Sequence, residues 1–563
     1  MTYKKKKIAL IGGGPSALYA FKHIVDSGAT GISVDIFEAK EKLGHGFPYS
    51  PEGALPEHVT NISANETPPL ETSLKEWAQS LPNENLKKYG LSTDHFNENK
   101  VVPRLFFGDY LEAEFDLLLT KAKDLKIETK IHLKSLVTDI TDHPDKKSMS
   151  VHVGDTIFED FDHVVLCSGH NWPTPHEAKF SGYFDSPYPP SKLAHRTNHP
   201  VAIRGSSLTA IDAVRTLSRQ NGEFYTSEQG ILAYRLDESS SDFRLVLHSK
   251  HGLLPCIRIY LEEPLVTTSD TLTEEEIAAH IAENDGFLSL DFIFDGDFKK
   301  PLKDKDPLFY ETIKNMRMEE FVETMMNMRE NADPFVLFAM EYNEAKRSIR
   351  NKQAIHWKEM LATLSFAMNY PAKHFSAEDM LRLKTHLLPL IAVVIAFIPQ
   401  NSCEEIMALH AAGILDLISV DNKSRVEPLE DGGIMYHLDN NTKTQYKTFV
   451  DSIGQPRLSL EDLPFKGLIE SGAVSQAYIR FRSDDHAEKL NDNKDVEEHN
   501  GKFYLKVSGL AINDDFQSID KNGEPNPRLY IMAVPYIGGF NPDYSGFDFC
   551  EEASKTIIDK ILS

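Results

Sequence analysis

The glycine-rich segment at residues 12–17, GGGPSA, restricts the fold of this chain more than any other part of the sequence. It follows a short apolar run at residues 8–11 and precedes helical apolar spacing at residues 17–25, which predicts a strand, a tight turn and a helix. The first glycine permits the turn, the second lets a phosphate approach the backbone, and Ala17 lets the helix pack closely on the sheet. The N–H groups of the first helical turn then point at the phosphates. The segment therefore predicts a dinucleotide-binding α/β unit.

The next predicted strand, at residues 33–37, leads into Glu38. A carboxylate at that position accepts hydrogen bonds from a ribose 2′-hydroxyl and repels a 2′-phosphate. FAD is favoured over NAD, because the glycine-rich and aromatic residues 44–49 and the segment 58–61 are typical of loops that pass near a flavin ring. Loop residues without a ligand are the alternative for His45 and Asn61. The residues predicted to bind FAD in this part of the chain are Gly12, Gly14, Pro15, Ser16, Ala17, Glu38, His45, Gly46 and Asn61.

A further piece of the same site follows the apolar strand predicted at residues 163–166. The segment 167–170, CSGH, resembles the strand–ATG–loop element with which two-dinucleotide flavoproteins leave the FAD domain. Cys167 is predicted to be a small buried residue. Arg104 is predicted to lie near the flavin ring or its phosphates, with a surface position as the alternative. The other residues predicted to lie near FAD are Ser168, Gly169 and His170.

A second strand–turn–helix pattern lies about two hundred residues further on, at residues 203–212, IRGSSLTAID. Ser207 stands where a second glycine is expected, and it narrows the approach to the backbone while offering a hydroxyl to a phosphate. The next strand ends at Ser249 and Lys250 without an acidic residue, which favours NADPH over NADH because hydroxyl and ammonium groups bind a 2′-phosphate. Surface charge is the alternative for Lys250 and Arg258, and NAD is the alternative cofactor. The predicted NADP-binding residues are Gly205, Ser206, Ser207, Leu208, Thr209, Ser249, Lys250 and Arg258.

The remaining pattern completes the predicted architecture. Helical spacing dominates between residues 268 and 420, with helices predicted at 331–351, 356–369, 377–398 and 404–415, and short strands return after residue 420. The predicted fold class is α/β, with two Rossmann-like dinucleotide-binding domains, for FAD and NAD(P), and a helical insertion. The predicted domains are the first part of the FAD domain (1–199), an NAD(P)-binding segment (200–267), a helical insertion that forms a substrate cap (268–420) and a return that completes the FAD domain (421–563).

The charge and cysteine content exclude several classes of protein. The formal net charge of −25 repels nucleic-acid phosphates and anionic membranes, so neither is expected as a partner. The four cysteines are far apart in sequence, which argues against disulfides and zinc and fits a reducing cytoplasm. No signal peptide or membrane-spanning run is recognised, so a cytoplasmic location is expected.

The motifs together resemble a known family. The glycine turn, the segment 205–212 and the segment 249–255, SKHGLLP, are similar to those of the bacterial FAD/NAD(P)-binding proteins of the YdhS-like type, and the resemblance covers nearly the whole chain. It implies FAD and NAD(P) as cofactors and a distant relationship to flavin-dependent N-hydroxylating and Baeyer–Villiger monooxygenases. Two departures stand out. Ser207 replaces a glycine of the family's second turn, and residues 533–539 lack a Gly-Asp pair, for which Asp543 is the nearby candidate.

These observations predict an FAD-dependent NAD(P)H oxidoreductase, with a monooxygenase acting on a small molecule as the favoured form. A flavin dehydrogenase or reductase without oxygen insertion is one alternative. A non-catalytic FAD/NAD(P)-binding redox sensor is another, because the second turn is weakened and the helical insertion is large. No HExxH, GxSxG or clustered His/Cys motif occurs, so neither a metal site nor a catalytic residue is predicted.

Overall fold

Two β-sheets with the same core strand order dominate the computed structural model of the chain. The model describes residues 5–92, 96–170, 172–263, 271–438, 442–455, 457–490, 493–540 and 546–563. The strands are β1 (Lys6–Ile11), β2 (Ile32–Phe37), β3 (Glu128–His132), β4 (Asp139–His143), β5 (Ser148–Val153), β6 (Thr156–Phe161), β7 (His163–Leu166), β8 (Tyr183–Phe184), β9 (Pro200–Arg204), β10 (Gly222–Thr226), β11 (Leu232–Leu236), β12 (Arg244–Lys250), β13 (Leu415–Val420), β14 (Arg425–Pro428), β15 (Ile434–His437), β16 (Lys443–Tyr446), β17 (Thr448–Asp451), β18 (Gln476–Arg480), β19 (Val496–His499), β20 (Lys502–Leu510), β21 (Gln517–Ile519) and β22 (Pro525–Ile531).

The helices flank these sheets and build most of the middle of the chain. They are α1 (Pro15–Asp26), α2 (Leu74–Ser80), α3 (Asn83–Lys87), α4 (Arg104–Asp124), α5 (Leu208–Asn221), α6 (Glu274–Glu283), α7 (Leu290–Ile293), α8 (Lys300–Lys305), α9 (Pro307–Ile313), α10 (Met318–Glu330), α11 (Pro334–Asn351), α12 (His356–Ala367), α13 (Ala377–Arg382), α14 (Leu388–Val394), α15 (Gln400–Ala411), α16 (Lys466–Ser471), α17 (Asp484–Glu488) and α18 (Gly546–Leu562). None of the helices in the described ranges is long and apolar enough to cross a membrane.

The first sheet has the strand order β21-β22-β7-β1-β2-β3. All neighbours are parallel except the edge pair β21 and β22. The strand β2 is buried along its whole length, as expected for a parallel strand that helices cover on both faces. Helix α1 packs against α4 and against the C-terminal helix α18, so both ends of the chain meet on this sheet.

The second sheet repeats the topology of the first. Its order is β13-β12-β9-β17-β8, and every neighbouring pair is parallel. The strands β9, β12, β13 and β17 correspond to β1, β2, β3 and β7, and each sheet joins its third and fourth strands through a three-stranded antiparallel unit, β4-β5-β6 in one and β14-β15-β16 in the other. This duplicated α/β arrangement confirms the predicted fold class of two Rossmann-like units.

A helical insertion separates β12 from β13. It runs from α6 to α15. Within it, a π-helical turn at Phe294–Lys299 joins α7 directly to α8, and another at Leu383–Leu387 joins α13 directly to α14. The helix predicted at residues 404–415 was placed four residues too late in the sequence, since α15 spans Gln400–Ala411. Helix α15 ends at Ala411, Gly413 takes φ +68°, and the buried Leu415 begins strand β13 beside β12. The domain boundaries stay a prediction, and the one at residues 267 and 268 falls outside the described residues.

Candidate functional site

The first glycine turn contacts the ends of two neighbouring strands, β2 and β7. Gly12 adopts φ +111°, a conformation that favours glycine, and a Cβ atom there would lie 2.8 Å from the carbonyl oxygen of Cys167. Its N–H donates to the carbonyl of Phe37 at 2.8 Å. The turn therefore sits at the carboxyl ends of β1, β2 and β7, where ligands bind in open α/β sheets. Cys167 is buried, as predicted, and burial raises the pKa of its thiol far above the usual range.

The start of helix α1 forms a narrow cradle. Gly14 precedes Pro15, the first residue of the helix, and a Cβ atom on Gly14 would lie 3.0 Å from the Cα atom of Gly46. The N–H groups of Ser16 and Ala17 lie in the first turn, where a helix offers them no acceptor of its own. A helix N-terminus beside two glycines that carry no side chain is an arrangement that fits a pyrophosphate.

Glu38 lies beside this cradle at the end of β2. Its side chain is largely buried, and its Oε2 atom accepts a hydrogen bond from the N–H of Gly13 at 2.7 Å. Its Oε1 atom accepts from the N–H of Lys40 at 2.8 Å. The two bonds fix the carboxylate next to the glycine turn, which is the place that the sequence predicts for a ribose.

The loop residues of the predicted flavin site point in different directions. The His45 ring is buried against α4, with Nε2 3.2 Å from Glu112 Oε2, and burial lowers the pKa of the imidazole. The carbonyl oxygen of Asn61 accepts a hydrogen bond from the guanidinium of Arg258. Gly46 lies against the cradle, so it is the member of this loop group that the structure brings directly to the first turn.

The segment that follows β7 leads toward the second sheet. Ser168 is half-buried, whereas Gly169 and His170 are exposed. The Nδ1 atom of His170 contacts the side-chain oxygen of Gln455, a residue just after β17. The imidazole of His170 also lies 6.1 Å from the Trp172 ring, which lies 5.5 Å from the Tyr188 ring. His170 is thus placed between the two nucleotide-binding units.

The second glycine turn reproduces the first. Gly205 adopts φ +110°, and a Cβ atom there would lie 2.7 Å from the carbonyl oxygen of Ser452. Its N–H donates to the carbonyl of His248 at 2.8 Å. Ser207 caps α5 with φ −91° and ψ −163°, close to the φ −84° and ψ −162° of Gly14. Leu208 and Thr209 follow as the first residues of α5, so this turn also presents a helix N-terminus to a ligand.

The two serines of this site are tied to one carbonyl group. Ser206 Oγ donates to the carbonyl oxygen of Leu253 at 2.6 Å and lies 2.8 Å from Ser249 Oγ, which contacts the same carbonyl at 2.9 Å. Lys250 is exposed at the end of β12. The structure therefore brings residues 205–209 together with Ser249, and it leaves the ammonium group of Lys250 at the surface beside them.

Arg258 is held by a loop of the first unit. Its guanidinium is buried and contacts the Glu66 carboxylate, the carbonyl of Asn61 and, at 3.4 Å, Ser63 Oγ. It joins the second unit to a loop of the first. Binding of a 2′-phosphate by Arg258 stays a prediction, and it would require the guanidinium to leave Glu66.

A buried ion pair that sequence reasoning missed joins the two units at their helix N-termini. Arg104, the first residue of α4, lies 2.6 Å from Asp212 Oδ2 on α5, and the Tyr188 hydroxyl donates to the same oxygen at 2.5 Å. Burial opposes ionisation of Asp212, but Arg104 and His58 outweigh it and hold the pKa of the carboxyl below its usual range. Arg104 was predicted to lie near the flavin ring or its phosphates, which stays a prediction, and Asp212 was noted in the sequence only as the last residue of the segment 203–212.

Comparison with known proteins agrees with these observations. Residues 9–171 match a family model described as FAD-NAD(P)-binding, and residues 273–395 match the YdhS-like middle domain. YdhS of Escherichia coli K12 is 27% identical over 467 residues, which cover 83% of this chain and 86% of YdhS. The trimethylamine monooxygenase of Roseovarius sp. strain 217 is 29% identical over 188 residues, 32% of this chain and 39% of that enzyme.

Among solved structures, the ornithine N-hydroxylase of Kutzneria sp. 744 superposes with a TM-score of 0.46 at 12% identity, covering 100% of this chain and 99% of that one. The family-model and YdhS matches confirm the predicted resemblance to the YdhS-like proteins and the predicted FAD/NAD(P)-binding domain.

Proposed function

We propose that this chain, an FAD/NAD(P)-binding protein of the YdhS-like type, is an NADPH-dependent FAD oxidoreductase that acts as a monooxygenase on a small molecule. The observation that carries the proposal is the pair of equivalent glycine turns. Gly12 and Gly205 share one backbone conformation and one close contact with a following strand, at the same point of two sheets with the same strand order. A chain with two such strand–turn–helix units is suited to binding two dinucleotides, one to be oxidised and one to be reduced.

The residues of the first turn fit FAD. The helix N-terminus at Gly14, beside Gly46, suits a pyrophosphate, and Glu38 offers a carboxylate to a ribose. FAD, when bound, supplies the redox chemistry, and the protein supplies binding, orientation and electrostatics. At the junction of the two units, the Arg104–Asp212 pair fixes the ends of α4 and α5 relative to each other.

The residues of the second turn fit NADPH. Ser207 offers a hydroxyl at the N-terminus of α5, and Lys250 offers a positive charge at the end of β12, whose last residues include no acidic side chain. The similarity to a trimethylamine monooxygenase over 188 residues supports oxygen transfer as the reaction.

An anaerobic stopped-flow experiment tests the proposal. The purified protein, loaded with FAD, is mixed with NADPH or NADH, and the flavin absorbance is followed. We expect rapid bleaching by NADPH and slower bleaching by NADH. Bound FAD that neither nucleotide reduces would contradict the oxidoreductase and would favour a redox sensor. A protein that retains no FAD would remove the basis of the proposal.

A variant pair tests the assignment of Lys250. Lys250→Ala should raise the NADPH concentration for half-maximal reduction about tenfold, because it removes one charge-assisted hydrogen bond of about 1.5 kcal/mol. The value for NADH should change little. Lys123→Ala, which removes an exposed lysine on α4, serves as the matched control. Equal effects on NADPH and NADH would contradict recognition of the 2′-phosphate by Lys250.

Oxygen use distinguishes the monooxygenase from a reductase. Oxygen and hydrogen peroxide are measured while NADPH is consumed with trimethylamine as the probe substrate. Oxygen uptake coupled to product formation without peroxide supports oxygen transfer. Fast electron transfer to ferricyanide with no oxygen-containing product would instead favour the reductase.

A further inference from the structure

Glu262, His356 and Glu359 bring one imidazole nitrogen and two carboxylate oxygens to one place in the fold. The three ligand atoms lie within 4.8 Å of one another. His356 is the first residue of α12, and Glu359 follows three residues later on the same face of the helix, with His356 Nδ1 3.7 Å from Glu359 Oε2. Glu262 comes from the segment that leads from β12 into the insertion. The group therefore lies where that segment meets α12.

The Glu359 carboxylate is held in a fixed orientation. Its Oε1 atom accepts hydrogen bonds from the backbone N–H groups of Glu262 at 2.6 Å and Glu263 at 3.0 Å. These bonds aim its Oε2 atom toward His356. Hydrogen bonds that orient a ligand in this way are typical of built metal sites.

Two of the three ligand atoms are buried without a hydrogen-bond partner among the described residues. Glu359 is 2% exposed, and neither its Oε2 atom nor the Nδ1 atom of His356 has such a partner. A buried carboxylate oxygen without a partner costs free energy, and a bound cation would satisfy both atoms at once.

A second group of similar composition has one buried ligand atom without a hydrogen-bond partner, His45 Nε2, but both of its carboxylates are paired. His45, Asp109 and Glu112 also lie close together, but Glu112 is paired with Lys42 at 2.7 Å and Asp109 accepts a hydrogen bond from the Tyr89 hydroxyl at 2.5 Å. Its two carboxylates therefore already have partners. In the group on α12 the nearby cation is Lys305, whose Nζ atom lies 3.2 Å from Glu263 Oε1.

We propose that Glu262, His356 and Glu359 bind one divalent transition-metal cation, for which Zn²⁺ fits best. Imidazole nitrogen and carboxylate oxygen are both zinc ligands, and three protein ligands leave a fourth position for water. Glu262 is exposed, so the ion can enter from solvent, and Glu359 forms the buried wall of the site. The bound ion fastens the entry segment of the insertion to α12.

Calorimetric titration with Zn²⁺ alone tests the site. The full-length protein, loaded with FAD and freed of metal by a chelator, is titrated as wild type and as the variants Glu262→Gln and His356→Gln. Glu330→Gln is the matched control, because Glu330 also pairs with a histidine, His251, at 2.8 Å, but in an exposed pair without a second carboxylate. We expect one Zn²⁺ per wild-type chain, affinity at least tenfold weaker in both site variants, and no change in the control.

Three results would overturn the proposal. They are the absence of stoichiometric binding to the wild type, wild-type affinity in both site variants, and an equal loss of affinity in Glu330→Gln. Glu262 is exposed, so Glu262→Gln should fold normally, and unchanged FAD content and circular dichroism would verify this. Wild-type affinity in the site variants would place any bound zinc elsewhere, including the group around His45.

Discussion

At the scale of single residues, Gly14 and Ser207 occupy equivalent positions with different consequences. Both precede the first residue of a helix in extended backbone conformations that any residue can adopt. Serine at position 207 therefore introduces no backbone strain, and its side chain changes only the space for a ligand. At position 14 the neighbouring Gly46 leaves room for no side chain without a shift of the loop.

Replacement of Gly14 by valine should abolish FAD binding, because its side chain would collide with Gly46 and displace the loop beside the N-terminus of α1. The matched variant Ser207→Val should keep FAD and lose NADPH binding. FAD content after gel filtration and the concentration of NADPH for half-maximal reduction measure the two effects. Full flavin absorbance in Gly14→Val would place FAD elsewhere, and loss of FAD in Ser207→Val would show that the two turns are not separate sites.

The sequence predicted the residues of the two turns but not the partners of distant charged residues. Gly12, Gly205 and Ser207 could be read from local spacing, because a turn between a strand and a helix requires particular backbone conformations. The contact of Arg258 with Glu66 joins residues 192 positions apart in sequence. No local pattern encodes such a pairing, since it depends on how the two units pack.

At the scale of secondary-structure elements, the N-termini of α4 and α5 are held together by buried charges. Arg104 and Asp212 are both largely shielded from water, with side-chain exposures of 15% and 7%. Removing one member leaves the other charge buried without a partner, which is far more damaging than the loss of a surface pair.

The variant Asp212→Asn should lower the stability of the protein by about 3–5 kcal/mol, because Arg104 would remain buried and uncompensated. Asp237→Asn is the matched control, since it breaks the Arg196–Asp237 pair, whose side chains are 56% and 40% exposed, and should cost at most about 1 kcal/mol. Thermal unfolding followed by circular dichroism compares the two. Equal shifts in midpoint would contradict a special role for the buried pair.

Strand β12 carries a buried histidine that makes the second sheet sensitive to acid. His248 stacks on Tyr436 with ring centroids 4.0 Å apart, and burial lowers the pKa of its imidazole to about 4. An unfolded chain binds a proton at this residue below about pH 6.5. Stability should therefore fall as the pH drops from 6.5 toward 4, with about 2 kcal/mol lost by pH 5.

The variant His248→Phe should keep the stacking and remove this part of the pH dependence. The difference between the unfolding midpoints at pH 7 and pH 5 should then be smaller in the variant than in the wild type. Identical pH dependence of the two proteins would show that His248 does not titrate in the way that its burial implies.

Strand β13 is a secondary-structure element that the sequence did not predict. Its residues continue the helical apolar spacing of α15, so the predicted helix ran on to residue 415. The structure ends the helix because Gly413 reverses the chain and because Leu415 can pair with Leu245 of β12. That pairing depends on a strand about 170 residues earlier, which spacing within one segment does not reveal.

At the scale of the whole molecule, cofactor binding is linked to folding through the first sheet. FAD bound at this sheet would stabilise the native state alone, by about 2.7 kcal/mol when the free ligand exceeds its Kd a hundredfold. Removal of FAD should therefore lower the unfolding midpoint, and added FAD should restore it in wild type but not in Gly14→Val. Differential scanning calorimetry measures the shift, and an unchanged midpoint in the FAD-free protein would contradict the link.

All strands of the second sheet lie between β7 and β22 of the first sheet in the sequence, and this sets the order in which a nascent chain can complete the two sheets. All five strands of the second sheet lie between Tyr183 and Asp451. In the first sheet, β7 pairs with β22, and 358 residues separate Leu166 at the end of β7 from Pro525 at the start of β22. At a synthesis rate of about 5–20 residues per second, the ribosome needs roughly 20–70 seconds to make the residues between these two strands. The second sheet can thus be complete while the first one still lacks strand β22, and helix α18, which packs on α1, is made after both sheets.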